Sequence, residues 1–450
     1  ANGNYYFNSS AGLVASTNYQ IRLATNQVPL TGFALSPQNA GGNDAVDSDG
    51  STVIAAGFAT IPFTSPAAQG YNETYDFGFF QPVAIGNQIW NDSNNDGLFN
   101  NGETGINGVS VQLFLAGQVP GTDTPVATTT TATVGPDAGV YAFAGLAPAS
   151  YFIHIPTVPV GATMSSTTTV TLDNGVNNDD NGSQPGGVGA AVTGPVIVLA
   201  PGETDNSVDF GFLAPAQLAG QVREDVDGDG SLADPDTGIT GVTVTLFTDP
   251  NGDGDPADGE EVGSTTTNGT GNYSFTNLVP GNYTVVQTNL PGYSSTADKT
   301  NPNDERIPVT LAAGDNNTGN DFLDTRPANI YGQVRYDLDG DGALVEAPVD
   351  AGIDSVTVRL FTDPNGDGNP ADGVEVRTTT TNGLGNYEFL NVLPGIYVVI
   401  ETTPVGYTST ADVAAPNNDL IPVVLLSATN STGNDFLDTQ PAGISGQVRE

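Results

Sequence analysis

"GNYSFTNLVPGNYTVV", residues 271–286, alternates large apolar side chains with small polar ones on both sides of a proline–glycine pair. Tyr273 and Phe275 stand before the pair, Tyr283 and Val285 after it. A side-chain period of two marks a strand with one buried face. Pro280 and Gly281 suit the central positions of a type II turn, so the stretch predicts a β-hairpin. The phrase returns at 385–400 as "GNYEFLNVLPGIYVVI" and, more loosely, at 139–155 as "GVYAFAGLAPASYFIHI".

Working outward, the whole neighbourhood repeats. "GQVREDVDGDG" at 220 comes back as "GQVRYDLDGDG" at 332, and "GQVRE" at 446 begins it again, giving periods of 112 and 114 residues. A diverged copy opens near residue 85 with "IGNQIWNDSNNDG". Four copies close on related phrases, "YDFGFFQP", "VDFGFLAP", "NDFLDTRP" and "NDFLDTQP". Adding "AGQVR", "VTVTLF", "EEVGSTT", "IPVTLA" and "NDFLDT" to the two strands of the opening stretch gives seven strands per copy, enough for a two-sheet sandwich. No segment carries a helical period. The expected fold is all-β, a tandem array of Ig-like β-sandwich domains.

The expected boundaries follow the phrases: 1–81 as the back part of one sandwich, 82–214 as a diverged copy, 215–327 and 328–441 as two close copies, and 442–450 as a first strand of the next. On that reading the chain is a window on a longer periodic polymer. Pro82, Pro215, Pro327 and Pro441 sit at the joints, where a fixed φ and a brief linker favour a semi-rigid array.

Composition limits what such an array does. The 450 residues hold 51 acids against 9 bases, a net charge of −42, with no Cys and one His. Of the acids 39 are Asp and 12 Glu, and Asp with Asn and Gly is the vocabulary of tight loops rather than of a salt-adapted surface. Such a field repels nucleic acid and anionic membrane, and no apolar run reaches a membrane span. Cations are the expected partners.

"DSNNDGLFNNGE", residues 92–103, shows where they would go. Asp92, Asn94, Asp96, Gly97 and Glu103 satisfy D-x-[DN]-x-[DN]-G-x5-E, in which alternate oxygen-bearing side chains converge and a final carboxylate closes the site. Asp249, Asn251, Asp253, Gly254 and Glu260 satisfy it again. Three looser sets follow: Asp225, Asp227 and Asp229 closed by Asp236; Asp337, Asp339 and Asp341 with Glu346 before the closing position and Asp350 two residues beyond it; Asp363, Asn365 and Asp367 with Asp372 or Glu375 in place of Val374. Asp44, Asp47 and Asp49, and Asp173, Asp179 and Asp180, form two analogous sets. The competing reading is that Asp, Asn and Gly simply make good turns between strands. These loops connect strands, so only the ligand loop of a helix–loop–helix hand is shared.

The run "GNQIWNDSNNDGLFNNGETGINGVSVQLF" followed by "GVYAFAGLAPASYFIHI" resembles the calcium-binding B repeats of serine-aspartate repeat surface adhesins, relatives of the collagen-adhesin B-type, prealbumin-like sandwich. The resemblance covers nearly the whole chain. It implies secreted, tandemly arrayed stalk domains rigidified by several calcium ions, two or more per complete domain. No serine-aspartate tract or wall-sorting motif occurs in these residues. Some B-type relatives are locked by a Lys to Asn isopeptide bond. The only lysine here, Lys299, lies in a loop, while Arg223 and Arg335 on early strands cannot form that bond, so calcium is the expected staple.

Catalysis has little to work with. His154 lies in the strand pattern "YFIHIP", Trp90 follows a first strand, and neither a second His nor a Cys is present. Triplets at Asn8, Asn72, Asn268, Asn282 and Asn430 are formal glycan acceptors that also arise by chance in so Asn- and Thr-rich a chain. The expected function is that of an extracellular structural protein: the calcium-rigidified shaft of a surface fibre, filament or sheath, self-associating, without nucleic acid or membrane insertion. The alternative is a cell-surface adhesin whose repeats present a face to a host or neighbouring-cell ligand.

Overall fold

A computed structural model describes residues 3–39, 48–53, 57–100, 102–166, 175–345 and 350–449. Among them the regular structure is strand, apart from four three-residue helical turns. No helix there is long and apolar enough to cross a membrane. The chain divides into two compact units, 1–215 and 216–450.

In the second unit each repeat is a sandwich of two sheets. The opening strand Ala216–Glu224 lies antiparallel to Asn272–Leu278 and parallel to the closing strand Phe322–Thr325, which pairs in turn with Ser294–Asp298. The facing sheet runs Glu261–Thr266, Thr243–Thr248, Gly281–Thr288, Arg306–Leu311, antiparallel throughout. The next repeat copies both sheets with Asn386–Val392, Ala328–Tyr336, Phe436–Thr439 and Thr408–Asp412, and with Glu375–Thr380, Thr357–Thr362, Gly395–Glu401 and Leu420–Leu425. The period of two is explained by burial: Val244, Leu246, Tyr283 and Val285 point into the space between the sheets, as do Val358, Leu360, Tyr397 and Val399 in the copy. Each such side chain contributes about 1.5 to 3 kcal/mol when fully buried.

The predicted hairpin is not one. Tyr273 pairs with Gly220 in one sheet, whereas Tyr283 pairs with Thr248 and Val309 in the other, so "NLVPG" carries the chain across the sandwich. Alternation shows which side chains are buried and not which strand lies alongside. Two strands that both bury tyrosine can share a core from opposite walls as well as from one. The hydroxyl of the second tyrosine closes the arch onto a backbone carbonyl, Tyr283 to Val279 at 2.8 Å and Tyr397 to Leu393 at 2.8 Å. The strand Ser294–Asp298 went unread because "SSTAD" is nearly all polar, and its register comes from its neighbour.

In the first unit, residues 83–213 repeat the plan. Val83–Asn91 lies antiparallel to Asp137–Leu146 and parallel to Phe210–Leu213. Ser110–Leu115 joins Ala127–Thr130 to Ser150–Ile155 in the facing sheet. Trp90 is fully buried in this copy and lies on the opening strand itself rather than after it. One tie recurs in all three sandwiches: the first tyrosine of the repeated phrase donates to the carbonyl just before the closing strand. The pairs are Tyr141 with Val208, Tyr273 with Asn320 and Tyr387 with Asn434. Residues 3–80 hold an antiparallel sheet of Asn18–Ala24, Phe58–Thr64 and Ser51–Val53, and a short ribbon pairing Ala34–Leu35 with Phe79–Phe80. Residues 442–449 are exposed and carry no strand.

Candidate metal sites

The acidic loops grow from the ends of the opening strand and of the first strand of the facing sheet. In each, the first aspartate is buried and anchors the loop by accepting backbone N–H groups. Asp225 receives Gly228 at 2.8 Å and Gly230 at 3.1 Å, Asp337 receives Gly340 at 2.7 Å and Gly342 at 3.0 Å, and Asp249 receives Gly252 at 2.9 Å and Gly254 at 3.0 Å. The coil needs two left-handed residues separated by one, Gly228 at φ 77 and Gly230 at φ 72 on either side of Asp229. In the 92–103 loop Asn95, at φ 56, takes the first of these positions.

Four groups of three carboxylates then converge, each offering an oxygen within 4.8 Å of the others: Asp225, Asp227 and Asp229; Asp337, Asp339 and Asp341; Asp249, Asp253 and Asp258; Asp363, Asp367 and Asp372. The first member of each is buried and the other two exposed. An all-oxygen set of this kind suits a hard cation. Buried Asp363 has one oxygen, Oδ1, that no donor among the described residues reaches. Asn251 and Asn365 donate to Asp253 and Asp367 at 3.1 and 3.2 Å, bracing the exposed arm of the loop.

The closing residues sort into two kinds. Glu103 Oε1 receives the Ser93 N–H at 2.7 Å, Asp236 receives that of Val226, and Asp350 that of Leu338 at 3.4 Å, so these three occupy one structural position. Asp350 Oδ2 is buried without a donor among the described residues. In the 249–260 loop the structure gathers Asp258, which sits on the helical turn Pro256–Asp258, and leaves Glu260 exposed outside the group. Asp372 is its counterpart in the next repeat. The glutamate satisfied the spacing rule, but the turn between Gly254 and Glu260 brings the aspartate two residues earlier to the other two carboxylates.

The 92–103 loop is organised differently. Asp92 Oδ2 receives the Gly97 N–H at 2.9 Å and the Ser166 hydroxyl at 2.7 Å, while Asn94 and Asn100 both donate to Asp96. The loop packs on residues 178–181 through Phe99 N–H to Asn178 and Asp180 N–H to Gly97. This brings Asp179 and Asp180 to its side, both buried, together with Asp209 of the closing strand's lead-in. Burial raises Asp180 well above the usual carboxylate range against hydrogen bonds from Gly211 and Gly182, with the charges of Asp92 and Asp179 adding to it. Burial also pushes Asp209 up to about 7, although the Asn178 and Gln88 amides favour its charged form. Asp209 was not singled out in the sequence. Its signal was the aspartate shared by "VDFGFLAP" and the other closing phrases. Its counterparts Asp321 and Asp435 face Arg223 and Arg335, at 3.6 and 3.3 Å, and those arginines stand where the diverged copy has Trp90. Asp44, Asp47 and Asp173 lie outside the described residues, as does Glu346; Asp49 is buried and accepts the Asp76 N–H at 2.9 Å.

His154 shares a hydrogen bond with Thr193 at 2.9 Å, and partial burial lowers its pKa, as for a packed rim histidine. Exposed Lys299 donates to Asn320 Oδ1 at 2.9 Å.

Comparisons with known proteins bear on the family. The SdrD B-like domain family matches at residues 83–212, 216–320 and 328–433. The chain is 31% identical over 412 residues to serine-aspartate repeat-containing protein F of Staphylococcus epidermidis, covering 88% of this chain and 21% of that protein. It is 31% identical over 352 residues to serine-aspartate repeat-containing protein D of Staphylococcus aureus strain Newman, covering 76% and 24%. The chain thus spans about a fifth to a quarter of these relatives' length. Among solved structures, a streptococcal ancillary pilin aligns over 80% of this chain and 99% of its own at 12% identity, with a TM-score of 0.25. The chain is a tandem-repeat protein with three successive copies of one domain. With three tandem matches and relatives of this kind, it belongs to the SdrD B-like domain family.

Proposed function

We propose that the chain is the calcium-rigidified shaft of a surface fibre, with sandwich domains at 82–214, 215–327 and 328–441 as its segments. The observation that carries this reading is the joint between the last two repeats, which is built on an acidic loop. Val226, inside the 225–236 loop, accepts the Ser427 N–H of the following repeat at 2.7 Å. Beside it Arg326, in the linker, grips Glu224 with two nitrogens at 2.8 to 3.0 Å and stacks 5.2 Å from the Tyr293 ring. The Ser427 hydroxyl donates to the same Glu224, and Ala428 N–H to the Arg326 carbonyl. Anything that fixes the loop therefore fixes the joint.

Asp225, Asp227 and Asp229, with Asp236 behind them, would hold the ion, and their mutual repulsion is what an ion relieves. Calcium would supply charge neutralisation and oxygen coordination there, and the same holds for the groups on Asp249, Asp337 and Asp363. Spin labels on the 216–325 and 328–439 sandwiches of the whole chain, read by pulsed distance measurement, test the reading. A narrow distance distribution in calcium should broaden in excess chelator, and Asp227→Ala with Asp229→Ala should broaden it in calcium. An unchanged distribution would remove the shaft argument.

A further inference from the structure

Nine Asn–Gly pairs occur in the sequence, and six of them, with the asparagine at 107, 181, 251, 268, 365 and 382, lie wholly among the described residues. In four of the six the fold accounts for the glycine. Gly108, Gly252 and Gly366 take the left-handed region at φ 84, 74 and 69, and a Cβ on Gly182 would meet the Ser165 hydroxyl at 2.8 Å. The N–H of each is also engaged. Gly108 donates to the Thr131 carbonyl at 2.9 Å, Gly182 to Asp180 Oδ1 at 3.2 Å, Gly252 to Asp249 Oδ1 at 2.9 Å and Gly366 to the Asp363 carbonyl at 3.2 Å.

Gly269 and Gly383 are different. Neither has a left-handed φ, and a Cβ added to either meets nothing within 4 Å. They occupy equivalent turns, one joining Glu261–Thr266 to Asn272–Leu278 and the other joining Glu375–Thr380 to Asn386–Val392. The left-handed position of each turn is filled by another glycine, Gly271 at φ 78 and Gly385 at φ 76. Among the described residues the N–H groups of Gly269 and Gly383 have no acceptor, and both residues are exposed.

The asparagine in front of each collects donors on its amide oxygen. Asn268 Oδ1 receives the Thr270 N–H at 2.9 Å, the Thr270 hydroxyl at 2.9 Å and the Asn272 N–H at 3.0 Å. Asn382 Oδ1 receives the Leu384 N–H at 2.9 Å and the Asn386 N–H at 3.1 Å. Donors so placed polarise a carbonyl and stabilise the negative charge that develops on its oxygen under attack.

We propose that Asn268 and Asn382 are self-modification sites that deamidate through a cyclic imide, the free glycine nitrogen acting as nucleophile and the donors on Oδ1 as the oxyanion hole. Hydroxide takes the Gly269 amide proton, and the nitrogen bonds to Asn268 Cγ. The Cγ–Nδ2 bond then breaks, and ammonia leaves with a proton from water, which restores the hydroxide. Water next adds to the imide. Opening at Cγ gives aspartate, and opening at the backbone carbonyl carbon gives isoaspartate. Asn382 and Gly383 follow the same course. Each event exchanges a neutral amide for a carboxylate on an exposed turn, and an aspartate formed there keeps the same donors in stronger, charge-assisted bonds.

Peptide mapping by mass spectrometry, with isoaspartate-specific methylation to score the second product, tests this on the freshly prepared whole chain incubated at mildly alkaline pH. Asn268 and Asn382 should convert first, faster as pH rises, with the other four pairs lagging. In urea the six should converge, because the local Asn–Gly sequence is then all that differs from other sites. Gly269→Ala should slow Asn268 several-fold while leaving Asn382 and the melting curve unchanged, since the added Cβ has room. Thr270→Ala, which removes one donor, should slow Asn268 by less. If Asn251 or Asn365 converts as fast as Asn268 in the folded chain, the inference is overturned. Both turns staying intact while the unfolded chain converts would also overturn it, because the donors would then lock the side chain rather than activate it.

Discussion

In repeat 216–325 Gln287 gives its amide hydrogens to Asp324 and Asn289, while in repeat 328–439 Glu401 has none to give. The same contrast recurs nearby. Arg306 reaches Asp255 at 3.3 Å in the first repeat, where the second has Leu420 and Asn369. Lys299 reaches Asn320, where the second has an exposed Val413 beside Asn434. Yet the two cores match position for position, from Leu218, Val244, Tyr273 and Val285 to Ile330, Val358, Tyr387 and Val399. Close packing tolerates little change in side-chain volume, so the apolar positions stay put. Charged positions vary, but a buried charge needs a donor, a counter-charge or an ion in its place.

The widest separation between core and charge should appear on removing calcium. With a hundred- to thousandfold excess over the dissociation constant, bound ions stabilise by roughly 3 to 4 kcal/mol per site. Melting in calcium and in chelator should therefore differ greatly, and Asp363→Ala should reproduce part of the chelator's effect in its own repeat, where the Asp337 group remains, while leaving 216–325 unchanged. Superimposable melts would show that the acidic loops are only turns.

A pH series in chelator sharpens the contrast at Asp324. Burial, opposed by the Gln287 amide and assisted by the Glu305 charge, raises its pKa to about 6. A carboxyl raised above its unfolded value near 3.9 destabilises the fold when charged. Repeat 216–325 should therefore gain about 2 kcal/mol as pH falls from 7 towards 4, before other carboxyls protonate. Denaturant unfolding at each pH reads this, and Asp324→Asn should flatten the dependence. A gain on going to high pH instead would contradict the burial argument.

The tyrosine tie ought not to differ between repeats. Tyr273→Phe and Tyr387→Phe each leave a buried carbonyl without its phenol, at a cost of about 1.5 kcal/mol in either repeat. Equal losses by urea denaturation would place the tie with the conserved core plan; a large inequality would mean that the neighbouring acids reach it.

Smallest is the exposed pair. Arg306→Ala should alter stability by less than about 0.5 kcal/mol, because both partners are solvated and the interaction is screened. The Lys299 contact is likewise expected to stay a hydrogen bond, since the lysine is exposed. Intact mass should equal the sequence mass, and loss of one ammonia would show a covalent link.

Much of this was open to reading from residues alone. The period of two in "TVTLF" and "NYSF", and the repeats at 112 and 114, set the all-β array, because burial of alternate side chains is a local property of strands. The first aspartate of each acidic loop was equally legible, since its spacing to two left-handed positions is a property of one short coil. What lay beyond the sequence was every choice between distant partners. Only the folded chain decided that "NLVPG" spans the two sheets, because the same alternation serves neighbours on one wall or facing walls. Only it set Asp258 in place of Glu260 and brought Asp209 beside Asp179 and Asp180, since those meetings depend on how loops pack. The burial of Glu401 against Asp438, 37 positions apart and each ordinary in its own strand, comes from the register of two sheets closing on one core.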